Sequence, residues 1–152
     1  MSASDFLSSP EGVVECLYAA ISFEPERKPN YSLMYTLFHP TARITPPSSD
    51  TGGKLKALTV EEFIEYFDTR IRDILSTGGR EEQVSGKTDV FHKIAHVLSI
   101  YRFMLVGSSE PLACGVNSFQ LVHEHGRWWI LSLTWDRAEP GEMIQIVGRN
   151  PF

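Results

Sequence analysis

The stretch from Cys114 to Asp136 constrains this chain more than any other. It reads CGVNSFQLVHEHGRWWILSLTWD: an apolar run, a break at His125-Gly126, and a second apolar run carrying Trp128, Trp129 and Trp135. Runs rich in Val, Ile, Phe, Trp and Thr, joined through a short turn with glycine, signal paired antiparallel strands. Loop length decides which side chains face the core, because a one-residue slip inverts the faces. The favoured loop is Glu124, His125 and Gly126, with Gly126 supplying a positive φ. It pairs His123 with Arg127 and sets Leu121 opposite Trp129, Phe119 opposite Leu131 and Asn117 opposite Leu133. A loop of His125-Gly126 alone would instead put Trp128 and Ile130 together on the inner face. In either register the last strand is apolar on part of both faces, whereas a solvent-facing strand alternates more cleanly. A covered outer face is expected, and a second copy of the chain is the economical cover, giving a homodimer.

The segments before this hairpin read as helices first and strands later. Ser9-Pro10 is a helix start, and Val13, Val14, Leu17, Ala20 and Ile21 recur at helical spacing until Pro25 and Pro29. Asn30 caps a second, shorter helix with Leu33, Met34, Leu37 and Phe38 on one stripe, stopped by Pro40. Thr41 to Thr45 reads as a short strand. PPSSDTGGK, Pro46 to Lys54, is a loop by composition and a candidate flap. Thr59 and Glu62 form a capping box, and Phe63, Ile64, Phe67, Ile71, Ile74 and Leu75 follow as the stripe of a third helix that ends at Gly78-Gly79. From Glu81 the period changes to two. Gln83 to Phe91 and Ile94 to Val106 are strands about a His92-Lys93 turn. The tail ends in an apolar run, Met143 to Val147. Three helices and then a meander of strands is an α+β layout of one domain, 1–152, with a cavity between helices and sheet.

Composition closes off several function classes. The formal net charge of -5 argues against nucleic-acid or acidic-membrane partners. No apolar run approaches membrane-spanning length, and the N-terminus lacks the pattern of a signal peptide. Two cysteines, Cys16 and Cys114, fit a reduced, cytoplasmic setting better than a disulfide. There is no G-x-G-x-x-G, P-loop or zinc-type cysteine pair, so no cofactor and no metal is expected.

Together, ASDFLSSPEGVVECLYAA, HPTARI, AHVLSIYRF, GVNSFQLVHEHGRWWI and LTWDRAEPG resemble the nuclear transport factor 2-like superfamily in its SnoaL-like branch. The resemblance covers nearly the whole chain. It implies a cystatin-like, cone-shaped α+β fold: three N-terminal helices packed on a curved, mostly antiparallel sheet, usually dimeric, with an internal pocket. The superfamily includes isomerases, dehydratases, cyclases and non-catalytic pocket proteins, so fold alone does not fix function. In the isomerases resembled here, a helix tyrosine, a general-base aspartate after the first strand and a strand acid carry the reaction. By that resemblance these positions fall on Leu17, one residue short of Tyr18, near Pro46, and on Asn117.

The residues themselves offer a pocket wall. Ala95, Val97, Ser99, Tyr101 and Phe103 share one strand face, and turning it inward brings Ser99 and Tyr101 near Asn117. Polar groups on an otherwise apolar wall orient a small apolar or aromatic ligand, although they can also satisfy one another. Asp136, after Trp135, could sit at the pocket mouth or pair with Arg137 or Arg43. The ligand-binding candidates are thus Tyr18, Ser99, Tyr101, Asn117, Trp135 and Asp136. A small-molecule pocket protein binding a small apolar or aromatic ligand is the leading expectation. A cyclase, dehydratase or isomerase acting on a hydrophobic carbonyl compound is the first alternative. There Tyr101 or Asn117 would polarise the carbonyl, and His39 or Asp136 would move the proton. An interaction module using the outer sheet face is the second. The inner wall discriminates: a carboxylate or histidine pointing into the cavity favours the enzyme.

Overall fold

The computed structural model describes residues 3–145. One turn of helix, α1 (Ala3–Phe6), precedes the three expected helices, α2 (Pro10–Ile21), α3 (Tyr31–Leu37) and α4 (Val60–Arg70). Five strands follow in part: β1 (Phe38–Thr45), β2 (Gly79–Phe91), β3 (Ile94–Leu105), β4 (Pro111–Glu124) and β5 (Arg127–Arg137). They form one sheet in the order β1-β5-β4-β3-β2, antiparallel except where β1 runs parallel to β5. This is an α+β layout with helices on one sheet face.

The helix starts follow the expected chemistry. Ser9 accepts the Gly12 amide at 3.0 Å, with Pro10 as first helical residue. Asn30 accepts the Leu33 amide. Thr59 and Glu62 exchange hydrogen bonds as a capping box. Val13, Val14, Leu17 and Ile21 of α2 are buried against Val97, Phe119, Leu121 and Ile130 of the sheet. Each such side chain contributes about 1.5–3 kcal/mol by leaving water.

Several boundaries differ from expectation. Helix α4 ends at Arg70, and a 3-10 turn, Arg72–Ile74, carries the remaining apolar stripe. Strand β1 begins at Phe38 rather than Thr41, and absorbs Pro40. Strand β2 begins at Gly79 rather than Gln83, because Phe23 and Gly79 exchange both backbone hydrogen bonds, at 2.8 and 3.0 Å. A Cβ at Gly79 would lie 2.5 Å from the Phe103 ring, so only glycine allows this approach. The expected apolar run Met143 to Val147 lies partly outside the described residues, and Met143 is exposed.

The longer hairpin loop is overturned. Glu124 pairs with Arg127 and His123 with Trp128, leaving His125-Gly126 as the loop. Both loop residues are left-handed, His125 at φ 54 and Gly126 at φ 77. That two-residue geometry matches the right-handed twist of the flanking strands. Trp128 and Ile130 are therefore buried together. A register shift beyond the Leu121–Ile130 pair then sets Phe119 opposite Leu133 and Asn117 opposite Trp135. This irregularity changes the parity of β5, so Leu133 and Trp135 also point inward.

A left-handed Ala costs about 1–2 kcal/mol relative to glycine. A Cβ at Gly126 would meet nothing within 4 Å. Gly126→Ala should therefore lower stability by about 1 kcal/mol through conformation alone. Urea denaturation of the variant showing no loss would contradict the two-residue turn.

Candidate functional site

A cavity of about 190 Å³ lies between the helix layer and the sheet. Leu17 and Ile21 of α2 and Phe63 and Phe67 of α4 form its apolar roof. Tyr101, Asn117 and Trp135 come from the sheet. Trp135 is half-buried and meets Phe63 edge-on, with ring centroids 6.1 Å apart.

Three of the expected residues meet in one hydrogen-bonded chain. The Asn117 Nδ2 donates to the Tyr18 hydroxyl at 3.0 Å, and Tyr18 Oη lies 2.6 Å from Ser99 Oγ. Ser99 donates to Gln83 Oε1 at 2.7 Å. Because the Ser99 proton goes to Gln83 and Tyr18 accepts from Asn117, the tyrosine donates to the serine. Burial pushes the Tyr18 hydroxyl up to about 12, offset in part by its hydrogen-bond partners Ser99 and Asn117. Tyr101 was expected to join Asn117 and Ser99 directly. Instead its hydroxyl makes no hydrogen bond among the described residues and faces the cavity. Gly115 makes its room: a Cβ there would lie 2.8 Å from the Tyr101 hydroxyl. Burial, then the nearby Glu81 carboxyl, raises the Tyr101 hydroxyl above its ordinary value.

Asp136 does not reach the cavity. It is exposed, and its carboxylate accepts the Arg137 backbone N–H at 3.0 Å. Strand alternation sends Arg137, not Asp136, inward. His39 is also elsewhere, with Nε2 at 2.8 Å from Glu124 and Nδ1 at 2.7 Å from Thr41. The Pro46–Lys54 loop is not a loose flap. Pro46 is fully buried, and the Asp50 side chain is only 6% exposed. Arg137 grips Asp50 with two parallel bonds of 2.8 and 2.6 Å, while the Tyr66 hydroxyl donates to Asp50 at 2.5 Å. These bonds hold the Asp50 carboxyl below its usual range, with the Arg137 contact the largest cause.

Glu81 escaped the sequence reading. It projects from β2 into the cavity, and no hydrogen bond or ion pair to its carboxyl is found among the described residues. Glu81 is half-buried among the residues that line the cavity. Desolvation pushes it up to about 8, against a weaker pull from Arg137. Ser22 fixes its orientation: the Glu81 amide donates to Ser22 Oγ at 3.1 Å. The period of two that begins at Glu81 is the sequence signal that would have placed it on one face with Gln83.

No family model matches the chain, and no curated protein matches it in sequence. Solved structures do match. A protein of unknown function with a cystatin-like fold from Nostoc punctiforme aligns over 93% of this chain and 96% of its own, with a TM-score of 0.68 and 12% identity. A nuclear transport factor 2-like protein of unknown function from Silicibacter pomeroyi covers 91% and 100%, at TM-score 0.58 and 16% identity. A candidate ketosteroid isomerase from Shewanella frigidimarina covers 82% and 91%, at TM-score 0.57 and 18% identity. The chain has the nuclear transport factor 2-like, cystatin-like fold.

Glu81 should leave a signature in stability. Its folded-state affinity for a proton exceeds that of an ordinary glutamate, so the native state holds more protons than the unfolded state between the two values. Stability should fall as pH rises from about 4.3, the ordinary glutamate value, toward about 8, and level off above. Glu81→Gln should flatten that decline. Melting curves across pH 5 to 9 with equal slopes in both proteins would contradict a desolvated Glu81.

Proposed function

We propose that the chain binds a small, largely apolar molecule in the cavity roofed by Phe63 and Phe67. The observation that carries this is a cavity lined largely by Leu17, Ile21, Phe63, Phe67 and Trp135, onto which the Tyr101 hydroxyl opens without a partner among the described residues. The hydroxyl opens onto the cavity, so a ligand acceptor placed there would give it the hydrogen bond that no described residue supplies. A volume near 190 Å³ suits a single-ring molecule, since a cavity of roughly 150 Å³ holds benzene. A place in the SnoaL-like branch belongs to the same proposal and rests on the quoted sequence segments. So does a cytoplasmic setting, supported by two free cysteines. Among the described residues, no helix is long and apolar enough to cross a membrane.

One observation favours the enzymatic alternative as a second reading: a carboxyl points into the cavity. A general base works best with an affinity near the operating pH, and Glu81 at about 8 meets that condition. With the carbonyl oxygen of a ligand on the Tyr101 hydroxyl, the ionised Glu81 would take a proton from the adjacent carbon and return it to the same enolate. His39 and Asp136 have no part in this reading. Thermal melts against single-ring ketones should show stabilisation by at least one of them, lost in Tyr101→Phe. Deuterium uptake from heavy water into that ketone should be lost in Glu81→Gln. Binding without uptake leaves a binding protein, and no shift with any ketone counts against the pocket reading.

The homodimer is likewise proposed, through the outer sheet face. Supporting it are half-buried Leu98, Ile100 and Val116 on that face, with Phe91 68% and Ile94 52% exposed at the β2–β3 tip. Trp129 needs no second copy, because the Arg127 guanidinium stacks on it at 3.6 Å. Sedimentation equilibrium at micromolar concentration should give twice the monomer mass. A monomer alone would remove the proposal.

A further inference from the structure

The mouth of the cavity carries more positive charge than it compensates. Arg70 and Arg137 both line it. Among the described residues the one carboxylate paired with them is Asp50, and Arg137 occupies that carboxylate with two parallel bonds. Arg70 approaches Asp50 no closer than 3.6 Å, too far for a hydrogen bond. It makes no hydrogen bond among the described residues, and its guanidinium lies 5.5 Å from the centre of the Tyr66 ring. Two guanidiniums thus face one carboxylate. Glu81 lines the same cavity but pairs with neither guanidinium, and desolvation favours its neutral form.

We infer that the ligand of this cavity is a small apolar carboxylate, its ring among Phe63, Phe67 and Trp135 and its carboxylate held at the mouth by Arg70. This deepens the pocket reading and rests on it. Guanidinium is a planar fork whose donors match a carboxylate in two parallel bonds, as Arg137 already demonstrates on Asp50. One uncompensated positive charge matches a monoanion; a doubly charged phosphate ester would overcharge the mouth and meet the Asp50 carboxylate. Tyr66 holds the site together from below. Its hydroxyl donates to Asp50 while its ring carries Arg70, so the two charges keep a fixed spacing.

The probes are phenylacetate and phenylacetamide, which share shape and differ in charge, with phenyl phosphate as the dianion. Titration calorimetry should show phenylacetate binding at least ten-fold tighter than the amide or the phosphate, with affinity falling as salt rises. Arg70 is half-exposed at the last residue of α4, so substitution there leaves the fold intact. Arg70→Gln should lower phenylacetate affinity at least ten-fold and leave single-ring ketone binding unchanged, while Arg70→Lys should restore part of the loss. Acid and amide binding alike, phosphate binding tightest, or an unaffected Arg70→Gln would each overturn the charge inference while leaving the pocket reading standing. If neither the acid, the amide nor any ketone binds, both readings fall. If ketones bind and the acid does not, only this one does.

Discussion

The Tyr18 hydroxyl sits where α2 meets the sheet, and the interior is built around it. Tyr18 accepts from Asn117 on β4 and donates to Ser99 on β3, so one helix is tied to two strands by a directed chain of protons. The surrounding contacts of Leu17, Val13 and Phe119 are apolar and non-directional; they favour burial but do not fix the register between helix and sheet. Hydrogen bonds do. Slide α2 by one residue and Tyr18 would leave Ser99 and Asn117, both buried, without their partner. The network therefore fixes where Leu17 and Ile21 stand, and hence where the roof of the cavity begins.

Two acids show how the same chemistry is sent in opposite directions by surroundings. Asp50 is buried against Arg137 and Tyr66, and every contact there favours its charged form. Glu81 lies near the same arginine, but Asp50 has already taken the Arg137 fork, so desolvation prevails over a distant attraction. The linkage signs differ accordingly. Asp50 contributes stability above the ordinary aspartate range and loses it as pH falls; Glu81 withdraws stability as pH rises. A clamp and an unpaired carboxyl thus coexist because the clamp is saturated.

Local chemistry was legible in the sequence wherever it was local. Ser9, Asn30, Thr59 with Glu62, and the period-two runs around Tyr101 and Asn117 each signal an element through neighbours within four residues. Legibility stopped where a tertiary contact made the decision. The β2 start depends on Phe23 meeting Gly79, residues far apart in the chain, and that contact together with Ser22 and the pairing with β3 places Glu81. The hairpin register depends on His125 accepting a left-handed conformation, and the face of Trp135 on the irregularity beyond Ile130. Asp136 was misplaced for the same reason: near a strand end, one position of parity separates the cavity-lining Arg137 from an exposed carboxylate. The loop around Asp50 looked unanchored because its composition is polar, yet a polar residue can anchor a loop as firmly as an apolar one when a guanidinium waits for it.

The cost of Glu81 is the strongest hint that the cavity does something. A carboxyl in a desolvated wall weakens the fold at neutral pH, and glutamine at the same place would not carry that penalty. Packing does not require the charge, since no described residue binds the carboxyl. The protein could also have satisfied it locally, because Arg137 borders the same space. Instead Arg137 is committed to Asp50, the Tyr101 hydroxyl is left free, and the hydrogen-bonding capacity of Tyr18 and Ser99 is spent within their own network. The wall separates groups that hold the structure from groups that are left open. Those left open, the Glu81 carboxyl, the Tyr101 hydroxyl and the Arg70 guanidinium, are the groups that the proposed ligand would meet.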